Sequence, residues 1–140
     1  RQGVETAWSP KRDRSECVAG SVSPGGPGVF TWADKDGRYW VGRDTLTITL
    51  SGCPNVRGKL LVRFRDANAN GRTCEGVFDG GRAFAIPPHA KGKDNPEGSY
   101  WLELPVDMED FLDGKLELRL RKTGGPNITV DRVVLLPNNA

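Results

Sequence analysis

The sequence predicts an all-β fold, a two-sheet antiparallel β-sandwich, and three observations support that prediction. Apolar and polar residues alternate in four segments, residues 45–50, 60–65, 100–106 and 116–121. A period of two places one side of each strand in a core and the other side in water. The chain is also rich in turn-forming residues, with 18 Gly and 10 Pro, and it shows no pattern of a helix longer than one turn.

The N-terminal region is irregular, apart from a short edge strand that we expect at residues 4–8. The Gly- and Pro-rich stretch at residues 23–28 predicts an exposed loop. Two aromatic segments follow, residues 30–32 and 39–41, on either side of a turn-rich segment at residues 33–38. Three large rings are therefore expected close together around one polar loop: those of Trp32, Tyr39 and Trp40.

The middle of the chain predicts two strands and a hairpin. Residues 45–50 and 60–65 are the strands, separated by a loop that contains Gly and Pro. Residues 73–78 and 82–86 form the hairpin. The Asp-Gly-Gly sequence at residues 79–81 supplies the positive φ angles that a tight hairpin turn needs.

The C-terminal region begins with a long polar loop at residues 87–98. A strand at residues 100–106 comes next, followed by one helical turn at residues 108–112 that the preceding Asp107 caps. The last strands are residues 116–121 and 128–136. About eight strands with uneven connections favour a jelly roll. The competing immunoglobulin-type sandwich would need a Cys–Trp–Cys spacing that the sequence lacks.

The composition is that of one ordinary globular domain, with 140 residues, 27% charged residues and a net charge of +2. Lys and Arg are scattered, so no basic tract predicts a nucleic-acid or anionic-membrane partner. The apolar stretches are too short to span a bilayer. We expect residues 1–140 to be a single, monomeric module of a longer multidomain protein, because the chain begins at Arg1 and contains one internal Met108.

The three cysteines, Cys17, Cys53 and Cys74, do not form a metal-binding cluster. There is no CxxC motif, and His89 is the single histidine of the chain. Two states stay open. One is a disulfide plus a free thiol, with Cys53–Cys74 as the first pairing to consider, and the other is three reduced, packed thiols.

Segments in the second half of the chain follow one another in a familiar order. They are residues 60–65, Gly71-Arg72, Asp79-Gly80, residues 100–105, the one-turn helix, residues 114–120 and residues 125–133. Over residues 45–136 this succession resembles the galactose-binding-like jelly rolls, in particular the carbohydrate-binding modules attached to polysaccharide-degrading enzymes. The resemblance implies a secreted or cell-surface protein that binds a polysaccharide or oligosaccharide and carries a covalently attached catalytic domain.

The resemblance also implies where ligands bind. Such modules hold sugar either on the loops at one end of the sandwich or on a concave sheet face. Many hold a structural Ca²⁺ between the N-terminal strand and the last strand. Glu5 and Asp131 fall at the matching places, and oxygen ligands suit a hard cation. Residues 1–10 depart from this pattern, because they lack the repeated acidic residues usual in calcium-holding modules.

The aromatic cluster is the candidate ligand-binding site. The C–H face of a sugar ring packs on Trp32, Tyr39 or Trp40, while the sugar hydroxyls need polar partners at the rim. The candidate rim residues are close in sequence: Asp34, Asp36, Arg38 and Arg43. The alternative is that the rings fill the core near the end of the sandwich, and we expect at least one of them to do so.

Each of the other candidate binding residues has a possible binding role and an alternative without one. Trp101 is either an outward platform for a sugar or a ring buried beneath a loop. His89 either donates to a sugar hydroxyl or is an exposed loop residue without a role. Arg72 and Arg82 either bind the carboxylate or sulfate of an acidic sugar or pair with nearby acids.

Catalytic motifs such as G-x-S-x-G and HExxH are absent from the sequence. We therefore expect a non-catalytic carbohydrate-binding module. One alternative is a small β-sandwich enzyme, either a hydrolase with paired carboxylates or a polysaccharide lyase with His89 or a Tyr as base and an Arg as carboxylate neutraliser. The other is a structural or protein-interaction module.

Overall fold

Two antiparallel sheets form the fold in the computed structural model, which describes residues 4–5, 21–35, 37–52, 57–79 and 81–137. The strands are β1 (Val4–Glu5), β2 (Ser21–Gly25), β3 (Phe30–Asp34), β4 (Gly37–Gly42), β5 (Thr45–Ser51), β6 (Gly58–Arg65), β7 (Thr73–Phe78), β8 (Arg82–Ile86), β9 (Ser99–Val106), β10 (Lys115–Gly124) and β11 (Ile128–Pro137). A short 3-10 turn, Met108–Asp110, lies between β9 and β10.

We call the two layers the front sheet and the back sheet. The front sheet has the strand order β3-β4-β11-β6-β9, and β1 pairs with the C-terminal half of β11. The back sheet has the order β2-β5-β10-β7-β8. From β4 to β7 and from β8 to β11, each strand lies in the opposite sheet from the one before it. This is the arrangement of a jelly-roll sandwich, and it confirms the predicted fold class.

The alternating apolar residues of the two sheets meet in one core. In β5, Leu46, Ile48 and Leu50 are fully buried, while the threonines between them are only partly buried. β6 and β10 follow the same pattern, with Leu60, Val62, Phe64, Leu116, Leu118 and Leu120 buried. Burying one such side chain stabilises the folded state by roughly 1.5–3 kcal/mol relative to leaving it in water. The four alternating segments are thus confirmed as strands, each slightly longer than predicted.

Strand residues also occupy parts of two segments predicted as loop or turn. In the first, residues 23–28, β2 includes Pro24, and the correctly predicted strand β9 likewise includes a proline, Pro105. Both are edge strands of their sheets, and an edge strand tolerates proline because the missing N–H lies on the solvent side. The turn-rich segment at residues 33–38 is mostly strand as well, since Asp34 pairs with Gly37 across the β3–β4 hairpin.

The two shortest predicted elements are the edge strand and the helical turn, and the described residues contain part of each. The edge strand expected at residues 4–8 is seen at Val4–Glu5, and the rest of it lies outside the described residues. The expected helical turn is the 3-10 turn, where the Asp110 carboxylate accepts a hydrogen bond from the Asp107 N–H at 2.7 Å. In the described residues, no helix has the length and apolar character needed to cross a membrane.

Cys74 is a free thiol on the buried side of β7, so the Cys53–Cys74 disulfide is wrong. Burial, with a smaller contribution from Glu75, raises the pKa of this thiol to about 12, because the apolar surroundings disfavour the thiolate. Cys17 and Cys53 lie outside the described residues.

His89 is buried, with 6% of its surface exposed, which corrects the expectation of an exposed loop residue. Its Nδ1 donates to the carbonyl oxygen of Pro87 at 2.8 Å, since a carbonyl can only accept. Its ring centroid lies 6.5 Å from that of Phe64 and 6.4 Å from that of Tyr100. Asn95 closes the loop by donating to the His89 carbonyl oxygen at 3.1 Å. His89 therefore packs the polar loop against the sandwich, and this position does not support the predicted contact with a sugar.

Candidate functional site

The β3–β4 hairpin decides which aromatic rings face outward. Trp32 and Tyr39 are cross-strand partners, as are Phe30 and Val41, and partners in an antiparallel pair project from the same face. Trp40 follows Tyr39 along β4, so its side chain projects from the opposite face. It is 2% exposed and belongs to the core cluster. Trp40 is therefore a core residue rather than a sugar-stacking one, and the expectation that at least one ring fills the core is confirmed.

A groove of about 310 Å³ opens on the outward face of this hairpin. Its hydrophobic wall consists of Phe30, Trp32, Tyr39 and Val41. Its polar side chains are Asp34, Arg65, Asn68, Arg72, Asn127 and Thr129. Trp32 is 56% exposed and Tyr39 is 8% exposed, so a ligand can reach the first ring while packing holds the second in place.

Asp66 fixes the loop that forms the polar side of the groove. Its fully buried carboxylate accepts hydrogen bonds from the backbone N–H groups of Asn70, Gly71 and Arg72 at 2.9–3.0 Å. It also accepts a hydrogen bond from Nη1 of Arg72 at 2.7 Å. Burial alone would raise the pKa of Asp66, but the backbone donors and the Arg72 guanidinium outweigh burial and lower that pKa. The sharp turn after β6 is thereby tied to an ionised side chain.

Arg72 links this loop to the start of β11. Its Nε donates to Oδ1 of Asn127 at 2.8 Å, and Oγ1 of Thr129 donates to the same oxygen at 3.0 Å. The guanidinium is held at both ends, because its Nη1 is bound to Asp66. Arg72, Asn127 and Thr129 therefore present their polar atoms to the groove in fixed positions.

Asp131 anchors two further arginines on the front sheet. It lies where the register between β11 and β6 shifts, between Val130 and Arg132. Arg63 donates to its carboxylate through Nε and Nη2 at 2.7 Å each, and Arg65 donates through Nη1 at 3.0 Å. The Asp131 side chain is 3% exposed. This buried ion pair holds Arg65 beside the groove.

Trp101 is a second outward ring of the front sheet. It is 43% exposed, so it is not buried beneath a loop. It pairs across the strands with Arg63, whose guanidinium carbon lies 5.5 Å from the ring centroid. β9, which carries Trp101, and β3, which carries Trp32, are at opposite edges of the sheet order, four strand spacings or roughly 19 Å apart. Trp101 does not line the groove.

The residues predicted from the sequence thus have different locations. Those that line the groove are Trp32, Tyr39 and Arg72. Those that are buried and do not line the groove are Trp40 and His89. Those exposed but outside the groove lining are Arg38 and Trp101. Asp36 lies outside the described residues.

Several lining residues were not predicted. Phe30 had a usable signal, because it is two residues before Trp32 and so lies on the same face of its strand. Asn127 and Thr129 come from the far end of the chain, and only the pairing of β11 with β4 brings them to the hairpin. Nothing in their local sequence indicates that they lie beside the hairpin.

Asp131 does not fit a calcium site as it stands. Both of its oxygens bind arginine, and two adjacent guanidinium groups would repel a cation. Among the described residues, no group of three or more potential His, Cys, Asp or Glu ligands is found. The backbone of Glu5 pairs with Val134, but its side chain lies outside the described residues. A calcium site that joins Glu5 and Asp131 stays a prediction.

No protein-family model and no curated protein matches this chain, but solved structures do. An exo-β-1,3-galactanase from Phanerochaete chrysosporium, solved with β-1,3-galactotriose, gives a TM-score of 0.54 at 14% identity, over 86% of this chain and 30% of that one. The family 35 carbohydrate binding module from Clostridium thermocellum gives 0.50 at 16% identity, over 82% and 92%. The mosquito-larvicidal Cry4Aa toxin from Bacillus thuringiensis gives 0.51 at 17% identity, over 86% and 24%.

Identities this low establish the fold alone. The predicted resemblance in fold to carbohydrate-binding modules is confirmed. The chain spans 30% of the galactanase and most of the family 35 module. The toxin has the same sandwich, so the fold by itself does not determine a function.

Proposed function

We propose that this chain is a non-catalytic carbohydrate-binding module that holds a polysaccharide or oligosaccharide in the groove of the front sheet. The observation that carries the proposal is the exposed ring of Trp32 beside a fixed rim of amide, hydroxyl and guanidinium groups. An indole ring packs against the C–H face of a pyranose, and the rim replaces the water around its hydroxyls. The fold shared with a family 35 module supports the same ligand class.

Each wall of the groove has a role in this proposal. Trp32 supplies the stacking surface, and Phe30 extends it on the same face of β3. Tyr39 forms the buried base. Oδ1 of Asn127 accepts hydrogen bonds from Arg72 and Thr129. No described residue accepts a hydrogen bond from Nδ2 of Asn127, so its two N–H groups are left for a sugar oxygen.

The affinity of such a site is expected to be weak, on the order of micromolar to millimolar. One stacked ring and a few solvated hydrogen bonds leave little surplus after the cost of ordering the ligand. Attachment to a catalytic domain compensates, because tethering raises the local concentration of substrate. In the proposal the module is therefore secreted or displayed at the cell surface beside a polysaccharide-active enzyme. The match to this chain covers only 30% of the galactanase, and this supports such an arrangement.

The lyase alternative gains no support from the positions of His89 and Arg72. His89, considered as a base, is buried and donates its Nδ1–H to Pro87. Arg72, considered as a neutraliser of a substrate carboxylate, is already bound to Asp66 and Asn127. A base must lie within hydrogen-bond reach of the substrate proton, and buried His89 does not line the groove.

Affinity electrophoresis tests the proposal. Native gels contain, one at a time, neutral galactans, mannans, xylans and glucans and the acidic polymers polygalacturonate, alginate and hyaluronan. We expect retardation by at least one polymer, abolished by Trp32→Ala. Leu112→Ala is the matched control, because Leu112 is 75% exposed and lies outside the groove.

Two outcomes would contradict the proposal. Retardation lost in Trp101→Ala but kept in Trp32→Ala would place the site at the other edge of the sheet. No retardation by any polymer would remove the carbohydrate-binding function itself.

A further inference from the structure

We infer that the groove selects uncharged sugars and rejects uronic acids and other anionic sugars. This inference rests on the proposed function and narrows its ligand class. It follows from how the two arginines of the groove are already bound.

Arg72 already binds the protein through one nitrogen on each of its two edges. A guanidinium binds a carboxylate strongly when two parallel N–H groups on one edge are available. In Arg72, Nε donates to Asn127 at 2.8 Å and Nη1 donates to Asp66 at 2.7 Å. Each of the two edges therefore includes one nitrogen that binds an oxygen of the protein. A ligand carboxylate would also approach the ionised Asp66, and like charges repel.

Arg65 is restricted in a similar way. Its Nη1 donates to Asp131 at 3.0 Å. Its Nε is buried and has no hydrogen-bond partner among the described residues, so a ligand cannot reach it. One edge thus has a bound nitrogen and the other an inaccessible one. Arg63 uses its own fork, Nε and Nη2, entirely on Asp131.

The arginines of the groove already have counter-ions within the protein. Arg72 is paired with Asp66, Arg65 shares Asp131 with Arg63, and Asp34 adds a carboxylate to the lining. An anionic sugar would lose hydration on entering and would gain little attraction from arginines that are already paired. A sugar hydroxyl needs only one donor or acceptor at a time. These are supplied by the remaining guanidinium N–H groups, by Asn127 and by Thr129.

Matched polymers test this inference on the full chain. The galactan, mannan or glucan that retards the chain most is compared with a sample oxidised selectively at C6, so that the backbone is unchanged and each CH₂OH becomes a carboxylate. We expect retardation by the oxidised form to be weaker by more than about tenfold in apparent Kd, roughly 1.4 kcal/mol. Retardation by the neutral polymer should not change with added NaCl.

The asparagine of the groove provides a second readout. Asn127→Ala removes the acceptor of Arg72 Nε and so frees the edge formed by Nε and Nη2. We expect the ratio of oxidised to neutral binding to rise several-fold in this variant. Thr129→Val is the matched control, because it removes the other bond to Asn127 and leaves that of Arg72. An unchanged ratio in Asn127→Ala would overturn the role given to Arg72.

The outcomes separate this inference from the proposed function. Stronger retardation by the oxidised polymer, or by polygalacturonate, alginate or hyaluronan, that weakens with added NaCl would overturn the inference and leave the carbohydrate-binding function standing. Loss of all retardation, by neutral and acidic polymers alike, would overturn both.

Discussion

Trp32 and Tyr39 are cross-strand partners on one face of the β3–β4 hairpin, yet 56% of Trp32 and only 8% of Tyr39 is exposed. Trp40, next along β4, lies in the core. Three aromatic residues that are neighbours in space thus have three different environments. Binding and stability should respond to different substitutions within this one hairpin.

Trp40→Ala is expected to lower the free energy of unfolding by about 3–5 kcal/mol, because it opens a cavity in the core. Trp32→Ala should lower it by less than about 1 kcal/mol, since most of that ring is exposed. Urea unfolding of both variants, followed by far-ultraviolet circular dichroism, measures the difference. Equal losses of stability would mean that Trp32 is a packing residue and not a ligand platform.

Asp66 should make the stability of the fold sensitive to acid. Its pKa is lowered in the folded protein and returns to about 3.9 on unfolding. Its contribution is therefore complete above the unfolded pKa and is lost as pH falls through the lower folded pKa. In urea titrations at a series of pH values, the stability gap between the wild type and Asp66→Asn should shrink below about pH 4. A gap that stays constant in acid would show that the Asp66 charge contributes nothing.

Asp131→Asn should lower the free energy of unfolding by about 3–5 kcal/mol, because it leaves Arg63 and Arg65 without their buried counter-ion. Glu117→Gln is the control, since it breaks an exposed pair with Arg119 and should cost no more than about 0.5 kcal/mol. Urea unfolding of the two variants at neutral pH measures both costs. If they prove equal, Asp131 does not organise the front sheet.

Cys74 should resist alkylation in the native protein. The thiolate is the reactive form, and burial raises the pKa of Cys74 to about 12. We expect iodoacetamide at about pH 8 to leave Cys74 unmodified in the native protein and to modify it in urea. Peptide mapping by mass spectrometry reads both states. Fast native labelling, or a disulfide-linked Cys74 peptide without reduction, would contradict the buried thiol.

The strands were predictable from the sequence because burial alone produces their alternation. Leu46, Ile48 and Leu50 must share a face whatever their partners are, and a period of two is visible without knowledge of the sheet. Pro24 misled the prediction, because a proline that ends most strands is tolerated at an edge. Whether a strand is an edge strand depends on the topology and not on its own residues.

The groove was only partly predictable. Alternation requires Tyr39 and Trp40 to face opposite sides, but the sequence does not say which of them faces the core; in the sheet, Trp40 pairs with the core residue Val130. Asn127 reaches the site through the same long-range pairing. His89 is buried in a polar loop because Asn95 closes that loop with its side chain. Such tertiary hydrogen bonds leave no pattern in the local composition.

Pro24 and Pro105 lie in edge strands of opposite sheets, and each takes one donor away from the outer rim of its strand. A strand from a second molecule that tried to extend either sheet would meet a proline ring where it needs an N–H group. The β2 and β9 edges are therefore protected against edge-to-edge association by the backbone itself, whatever side chains surround them.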